Sequence, residues 1–413
     1  MVTVRKFRAL RPQKGMEKKV ASPPYDVLNS EEARKLAEGN PYSFLHVIKP
    51  EIDLPAGTDL YAPEVYQKAK ENMERFIGEG ILIQEEKPSL YIYRQIMQER
   101  EQYGIVGCVA AEEYEKDIIK KHELTRRAKE EDRVKHIEAA NAHAGPVFLT
   151  YKARESINKL VAEEVTKEPL YDFVADDGVR HTVWIVSEEA ADKIIEEFKK
   201  IDYLYVADGH HRSASGTIVA KRRREANPHH TGEEEYNYFL AVMFPDNQLK
   251  IMDYNRVIKD LNGHSAEELF KFLEEVFTIE EKGESPYRPQ KKGEVAMYFE
   301  GKWYKLNFKP EKVDKDDPVN SLDTALLQNL VLRPFFGIDD PRTSEKIDFV
   351  GGIRGLEELK RLVDSGQYQV AFALFPTSIA ELMRIADAGQ VMPPKSTWFE
   401  PKLRSGLLVH RLD

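Results

Sequence analysis

The chain has 413 residues and a formal net charge of −10, from 61 Lys and Arg against 71 Asp and Glu, and 32% of its residues are charged. That balance argues against a DNA-coating protein, so an anionic ligand must find a local basic pocket. The single cysteine, Cys108, excludes an intramolecular disulfide and a thiolate-held zinc or iron-sulfur centre, and it fits a reducing, cytoplasmic setting. The opening MVTVRKFRALRP lacks the apolar core of a signal peptide, and no run of about 18 apolar residues could span a bilayer, so neither membrane nor nucleic acid is expected as a partner.

In chain order, VTVRKFRALRP alternates apolar and polar residues like a strand. A proline turn follows in SPPYDVL, then a short helix over 30–38, with Asn29 and Glu32 at capping-box spacing and Gly39 at its end. The apolar spacing over 64–78 predicts an amphipathic helix, and LYIYRQIMQEREQYGIVGCVAAEEY reads as two antiparallel strands joined by a charged turn. The polar run KKHELTRRAKEEDRVKHIEAANA reads as a helix leading to Gly145-Pro146 and a strand that ends near Tyr151. Strands at 181–186 and 203–207, a helix over 194–200 and another over 212–226 place DGHHR at a strand-to-helix junction. Past residue 255 come a helix capped by Ser265 with Glu268, a hairpin around Glu300-Gly301-Lys302, a helix over 321–332, the apolar strand YQVAFALFP, and a helix closing near Gly389.

This mixture of hairpins and strand-helix units predicts an α+β fold with mixed sheets, and the eight regular alternations of a TIM barrel are missing. The expected organisation is a core over 1–255 that carries HELTR and DGHHR, and a second α+β region over 256–413 whose C-terminal tail returns to the site.

DGHHR is the first candidate site. Asp208 can cap the helix, Gly209 lets the backbone approach a ligand, and His210, His211 and Arg212 add donors suited to phosphate oxygens. The plainer alternative is a capping Asp208 with two satisfied polar histidines. If HELTR is helical, His122, Arg126, Lys129 and Arg133 share one face and Glu123 lies on the next, but a solvated helix laced with ion pairs has the same pattern. MPPKSTWFEPKLRSGL sets Lys395, Ser396 and Thr397 on a proline-stiffened loop suited to an anion, with Lys402 and Arg404 further on; a braced tail packed by Trp398 and Phe399 is the alternative. Tyr25 and Asp26 follow two prolines, where Asp26 could bind metal, accept a proton or only make an Asx turn. His229-His230 lies in a polar loop that reads as surface, with a metal site left open.

Taken together, SPPYDVL, NPYSFLHVI, HELTR with EEDR, VADGHHRSAS and MPPKSTWFEPKLRSGL resemble a large prokaryotic family, domain of unknown function 1015, over nearly the whole chain. More remotely, GHHR resembles the glycine-x-histidine-arginine turn of sulfiredoxin and the nucleotide-binding turn of ParB proteins, where the turn opens a helix and holds phosphates. The archaeal free serine kinases are built on the same core. The resemblance therefore implies a mixed-sheet, ParB/sulfiredoxin-like nucleotide-binding core with additional α+β elements, and nucleotide-dependent phosphoryl transfer to a small hydroxylated metabolite, L-serine first among them. His210 stands where sulfiredoxin has its cysteine, which removes sulfinic acid repair.

No Walker loop and no protein-kinase motif set is present, so DGHHR is the candidate phosphate cradle. On this reading ATP or ADP, with Mg²⁺, lies over Gly209, His210, His211 and Arg212, aided by cations from Arg126 and Arg133. Glu123, Asp208 or His122 does the proton chemistry, and Tyr25, Asp26, Lys395, Ser396 and Thr397 hold the small-molecule substrate. Two rivals stay open: a nucleotide-binding switch or slow NTPase acting on a protein partner, and a hydrolase whose metal is held by histidines and carboxylates. No metal ligand set follows from the sequence, and a homo-oligomer is left open.

Overall fold

Eight segments between residues 90 and 245 and one at Val4–Arg5 assemble into one nine-stranded mixed sheet, which a computed structural model describes along with the rest of residues 1–413. Across the sheet run Ile119–Lys120, Leu204–Asp208, Val147–Tyr151, Tyr238–Pro245, Arg100–Ala110, Tyr91–Met97, Arg180–Ile185 and Tyr171–Val174, with Val4–Arg5 also paired to Arg100–Ala110. Two pairings are parallel, Leu204↔Ile119 and Ala241↔Val147, and the others are antiparallel. Every residue of Val147–Tyr151 is buried, as the continuous apolar run of a strand covered on both faces requires.

The helix His210–Ala226 packs against Arg127–Ala140, and Arg127–Ala140 against Pro63–Gly78. Apart from His210, Arg212 and Val219, the buried residues of His210–Ala226 are small: Ser213, Ala214, Ser215, Gly216, Thr217 and Ala220. A methyl group on Gly216 would come within 3.0 Å of the His143 ring and 3.2 Å of Phe239, so the helix lies as close to its neighbours as it does only because that residue has no side chain.

The chain forms two units, Met1–Leu249 with Pro401–Asp413, and Lys250–Glu400. The division falls a few residues before 255, and the last stretch of the tail belongs to the first unit rather than the second. In that unit the tail is tied by paired backbone bonds between Ser405 and Ser22 and by a short antiparallel pairing of His410 with His143.

The second unit is an antiparallel six-stranded sheet in the order Phe277–Gly283, Lys302–Phe308, Glu294–Phe299, Val370–Leu374, Tyr254–Ile258, Ile347–Gly351. Period-two alternation splits its residues between two cores: Ile258, Val295, Met297 and Phe372 face one way, and Val257, Ala296, Tyr298 and Ala371 the other. The Ser265 and Glu268 capping box is present, as is that of Asn29 and Glu32. No helix is long and apolar enough to cross a membrane.

Several expectations needed correction. The opening alternation is two short strands, Val4–Arg5 and Leu10–Pro12. The helix expected over 194–200 extends back to Glu188, and the one over 321–332 is Asp323–Leu327 continued by a wider π turn, Gln328–Leu332. HELTR is not helical: the helix starts at Arg127, after Arg126 in extended backbone at φ −99° and ψ 126°. Thr125 turns its hydroxyl to Glu130 in the first turn, which fixes the start there. His122 and Arg126 therefore do not share a helix face with Lys129 and Arg133.

Candidate functional site

The Leu204–Asp208 strand ends at a glycine that only a glycine can occupy without strain. Gly209 has φ 96° and ψ 34°, and a methyl group there would lie 3.0 Å from Arg212 Nε and 3.1 Å from Cζ. The helix begins at His210 with no side-chain cap. Asp208 is therefore not the cap that its position suggested. Its carboxylate instead accepts from Arg212 Nη2 at 3.4 Å and lies 3.5 Å from Lys402 Nζ. The first bond of the helix runs from the Ser213 amide to the Gly209 carbonyl at 2.9 Å, so helical bonding leaves the amides of His210, His211 and Arg212 at the positive end of the helix dipole.

Arg212 is a buried clamp. Nη1 donates to the Pro146 carbonyl at 2.6 Å, and Nη2 lies 3.4 Å from Asp208 and 3.6 Å from Asp26. Burial opposes its charge, but the two carboxylates outweigh burial and raise its pKa. For Asp208, burial would favour the protonated acid; Lys402 and Arg212 overcome that and hold it well below the usual carboxylate range.

His122 and His210 meet edge to face with ring centroids 4.5 Å apart. Burial pushes His122 down to about 4, and burial together with His122 pushes His210 well below its ordinary value, so both rings are neutral at pH 7. His210 Nε2 is a buried nitrogen with no hydrogen-bond partner. His211 Nε2 accepts from the Arg126 amide at 3.2 Å. HELTR, although not helical, is thus brought to DGHHR at two points. Glu123 is half-buried in the same loop. Arg133 pairs with Asp132 at 2.8 Å and stacks its guanidinium 4.1 Å from the Tyr25 ring centre, which brings the SPPYD turn to the same place.

A cavity of about 40 Å³ is lined by Arg212, Tyr25, Arg133, His136, His143 and Ser405 together with apolar residues such as Ile48, Ile137 and Phe239. That is room for two or three waters, and the buried, partnerless Arg212 Nε and His143 Nε2 are suited to bind them.

Lys395, Ser396 and Thr397 belong to the second unit. Ser396 is a brace there: its hydroxyl bonds the Pro393 carbonyl at 2.7 Å and Thr324 Oγ1 at 3.0 Å. His230 lies 3.0 Å from Glu234 and 3.1 Å from Tyr236 Oη, which accounts for that ring structurally. The metal-hydrolase reading needs three ligands to converge, and among the described residues no group of three or more His, Cys, Asp or Glu is placed to share a metal.

Sequence reasoning left Lys402 among the cations of the tail. Its carbonyl accepts from buried Gln95 at 2.9 Å, Gln95 accepts from Gln102 at 3.1 Å, and two residues on the Arg404 amide donates to Tyr93 Oη at 3.3 Å. Buried glutamines within a strand pair were the available signal, since such side chains must hold something.

A family model described as protein of unknown function (DUF1015) matches residues 4–325, and the chain belongs to that family. No protein of curated function matches. Among solved structures, a conserved hypothetical protein from Pyrococcus furiosus is 14% identical over 71% of this chain and 92% of its own, with a TM-score of 0.35. A free serine kinase in complex with AMP is 16% identical over 71% of this chain and 89% of its own, at 0.34. SbnI with a C-terminal truncation, from Staphylococcus aureus, is 13% identical over 74% and 87%, at 0.38. These are remote likenesses.

Proposed function

We propose that the first unit binds the phosphates of ATP or ADP over the Gly209 to Arg212 turn, and that the protein transfers a phosphoryl group to a small hydroxylated metabolite, free L-serine being the first candidate. The observation that carries this is one turn in which a left-handed glycine, three amides left over by the helix and the partnerless Nε2 of buried His210 coincide. Phosphoryl transfer needs positioning and charge neutralisation more than covalent help from the protein. Lys402 supplies a cation beside the turn, and Arg126 and Arg133 flank it.

Asp208 and Asp26 suit the one or two carboxylates by which Mg²⁺ is usually held alongside phosphate oxygens, and when bound the ion would neutralise phosphate charge. In the transfer the bond from the terminal phosphorus to its bridging oxygen breaks and one to the acceptor hydroxyl oxygen forms. The hydroxyl proton then goes to a side chain. Asp208, held ionised by Lys402 and Arg212, is a poor acceptor for it. Half-buried Glu123 is the better candidate, since the burial that pushes His122 down to about 4 makes that ring a weak proton acceptor as well, and Tyr25 would border the phosphoryl acceptor.

The test is to incubate the protein with ATP or ADP, Mg²⁺ and a pool of amino acids and small alcohols, with products read by mass spectrometry. Phosphoserine is the expected product. Intact nucleotide and no phosphorylated product from any acceptor would refute the transfer. Nucleotide binding without transfer would leave the switch reading in its place.

A further inference from the structure

The second unit buries an arginine in a way that the first does not. Arg256, on the Tyr254–Ile258 strand, is 3% exposed. Its Nη1 donates to the Tyr254 carbonyl, its Nη2 to the Pro394 carbonyl at a long 3.5 Å, and its guanidinium lies 5.2 Å from the Phe349 ring centre. Backbone dipoles and a ring face meet this charge, with no carboxylate. The acid three residues before it, Asp253, is taken by Arg288 at 2.9 Å and by Asn255 at 2.7 Å.

Other buried arginines of this protein show the usual arrangement. Arg212 has Asp208 and Asp26, and Arg404 has Asp177. Burial without a countercharge pushes Arg256 down to about 10, whereas Arg212, equally buried, is raised. A buried cation with no anion is costly, and a fold that keeps one has reason to meet an anion there.

A second cation approaches the same strand. Lys395 holds φ 57° on the MPPKST loop, with Nζ 5.6 Å from the centre of the Tyr254 ring, and Tyr254 and Arg256 point to one face of the strand. The loop is fixed from behind by the Ser396 hydroxyl and by Thr377, which bonds the Ser396 carbonyl at 2.9 Å. Trp398 contacts Tyr254 edge to face at 5.0 Å and so reports on this corner.

We infer that Arg256 and Lys395 form an oxyanion site in the second unit, which takes the carboxylate or phosphoryl group of a small ligand. A guanidinium binds either group by paired hydrogen bonds, and the neighbouring Tyr254 and Phe349 rings give the ligand's remainder an apolar wall. The inference is independent of the nucleotide reading, since it rests on a different charge in a different unit.

The experiment is thermal unfolding of the full chain, followed by tryptophan fluorescence, in inorganic phosphate, acetate or chloride at equal ionic strength. Phosphate or acetate should raise the unfolding temperature of the wild type where chloride does not, and the more effective of the two names the class of ligand. In Gly209→Ala, which disturbs the proposed phosphate seat of the first unit, a shift should persist; adding Arg256→Met should abolish it, and adding Lys395→Gln should raise the concentration needed for half of it about tenfold. Loss of the whole shift in Gly209→Ala alone would assign it to the nucleotide turn and overturn the inference. A wild type indifferent to both oxyanions, or a shift kept in full when Arg256→Met or Lys395→Gln is added to Gly209→Ala, would overturn it too. Lys395 is exposed, so its variant still tests the site if Arg256→Met fails to fold.

Discussion

Gly209→Ala tests the centre of the proposed site. An alanine at φ 96° lies outside comfortable left-handed backbone, at roughly 1–3 kcal/mol. The added Cβ would also sit 3.0 Å from Arg212 Nε and 3.3 Å from Nη2, so the guanidinium must give by a few tenths of an ångström. Its bonds to Asp208 and Asp26 are already long, at 3.4 and 3.6 Å, and a displaced guanidinium weakens both. If half of a ~2 kcal/mol penalty appears as stability and the rest as distortion of the turn, nucleotide affinity falls about five-fold or more. Calorimetric titration with ADP and Mg²⁺, beside a urea unfolding curve, reads the two parts separately. A variant that binds ADP as the wild type does would remove the turn as the phosphate seat. A variant as stable as the wild type would refute the strain argument.

Lys402→Met takes from Asp208 the strongest cation acting on it, so nucleotide binding should weaken about tenfold and its dependence on salt should flatten, as titrations at two ionic strengths would show. Arg212→Lys keeps the charge but loses the fork that spans Pro146, Asp208 and Asp26; a loss of about 2 kcal/mol in chemical unfolding is expected, and less than about 0.5 would count against the clamp. Acid should weaken the first unit. His122 and His136 are pushed down to about 4 and His181 to about 3, all by burial first. The unfolded chain takes these protons near 6.5, so the stability is whole above that pH and is lost as pH falls toward 4, or toward 3 for His181, at ~3 kcal/mol each for His122 and His136 and ~5 kcal/mol for His181. The second unit should respond in the opposite sense through Asp323, which burial raises to about 7: its contribution is whole below the ordinary carboxylate pKa and is lost as pH rises toward 7. Hydrogen exchange resolved by segment at pH 7 and 5 would show the two trends, and parallel trends would refute the assignment.

Local signals in the sequence were enough for the elements with strong punctuation. The capping boxes at Asn29 and Ser265, the turn at Gly301 and the apolar strands each carry their cause within a few residues. The start of the helix after HELTR was missed because the decisive contact, Thr125 with Glu130, competes with a run of residues that are all good helix formers. At the site, the turn chemistry of DGHHR was legible, since Gly209 and the helix start are neighbours in the chain. The use of Asp208 was not. It could have capped its own helix, and what prevents this is Lys402, nearly two hundred residues away by number, together with Arg212. The edge contact of His122 and His210 likewise depends on where a loop lands, which no periodicity encodes.

The return of residues 401–413 to the first unit has a consequence for the order of synthesis. The ribosome finishes most of the first unit, then makes all of Lys250–Glu400, and only afterwards Lys402, His410 and the Ser405 pairing with Ser22. Until that stretch emerges, Asp208 lacks the cation that keeps it charged at least cost. Nascent chains therefore hold Asp208 without its Lys402 partner for as long as the second unit is being made.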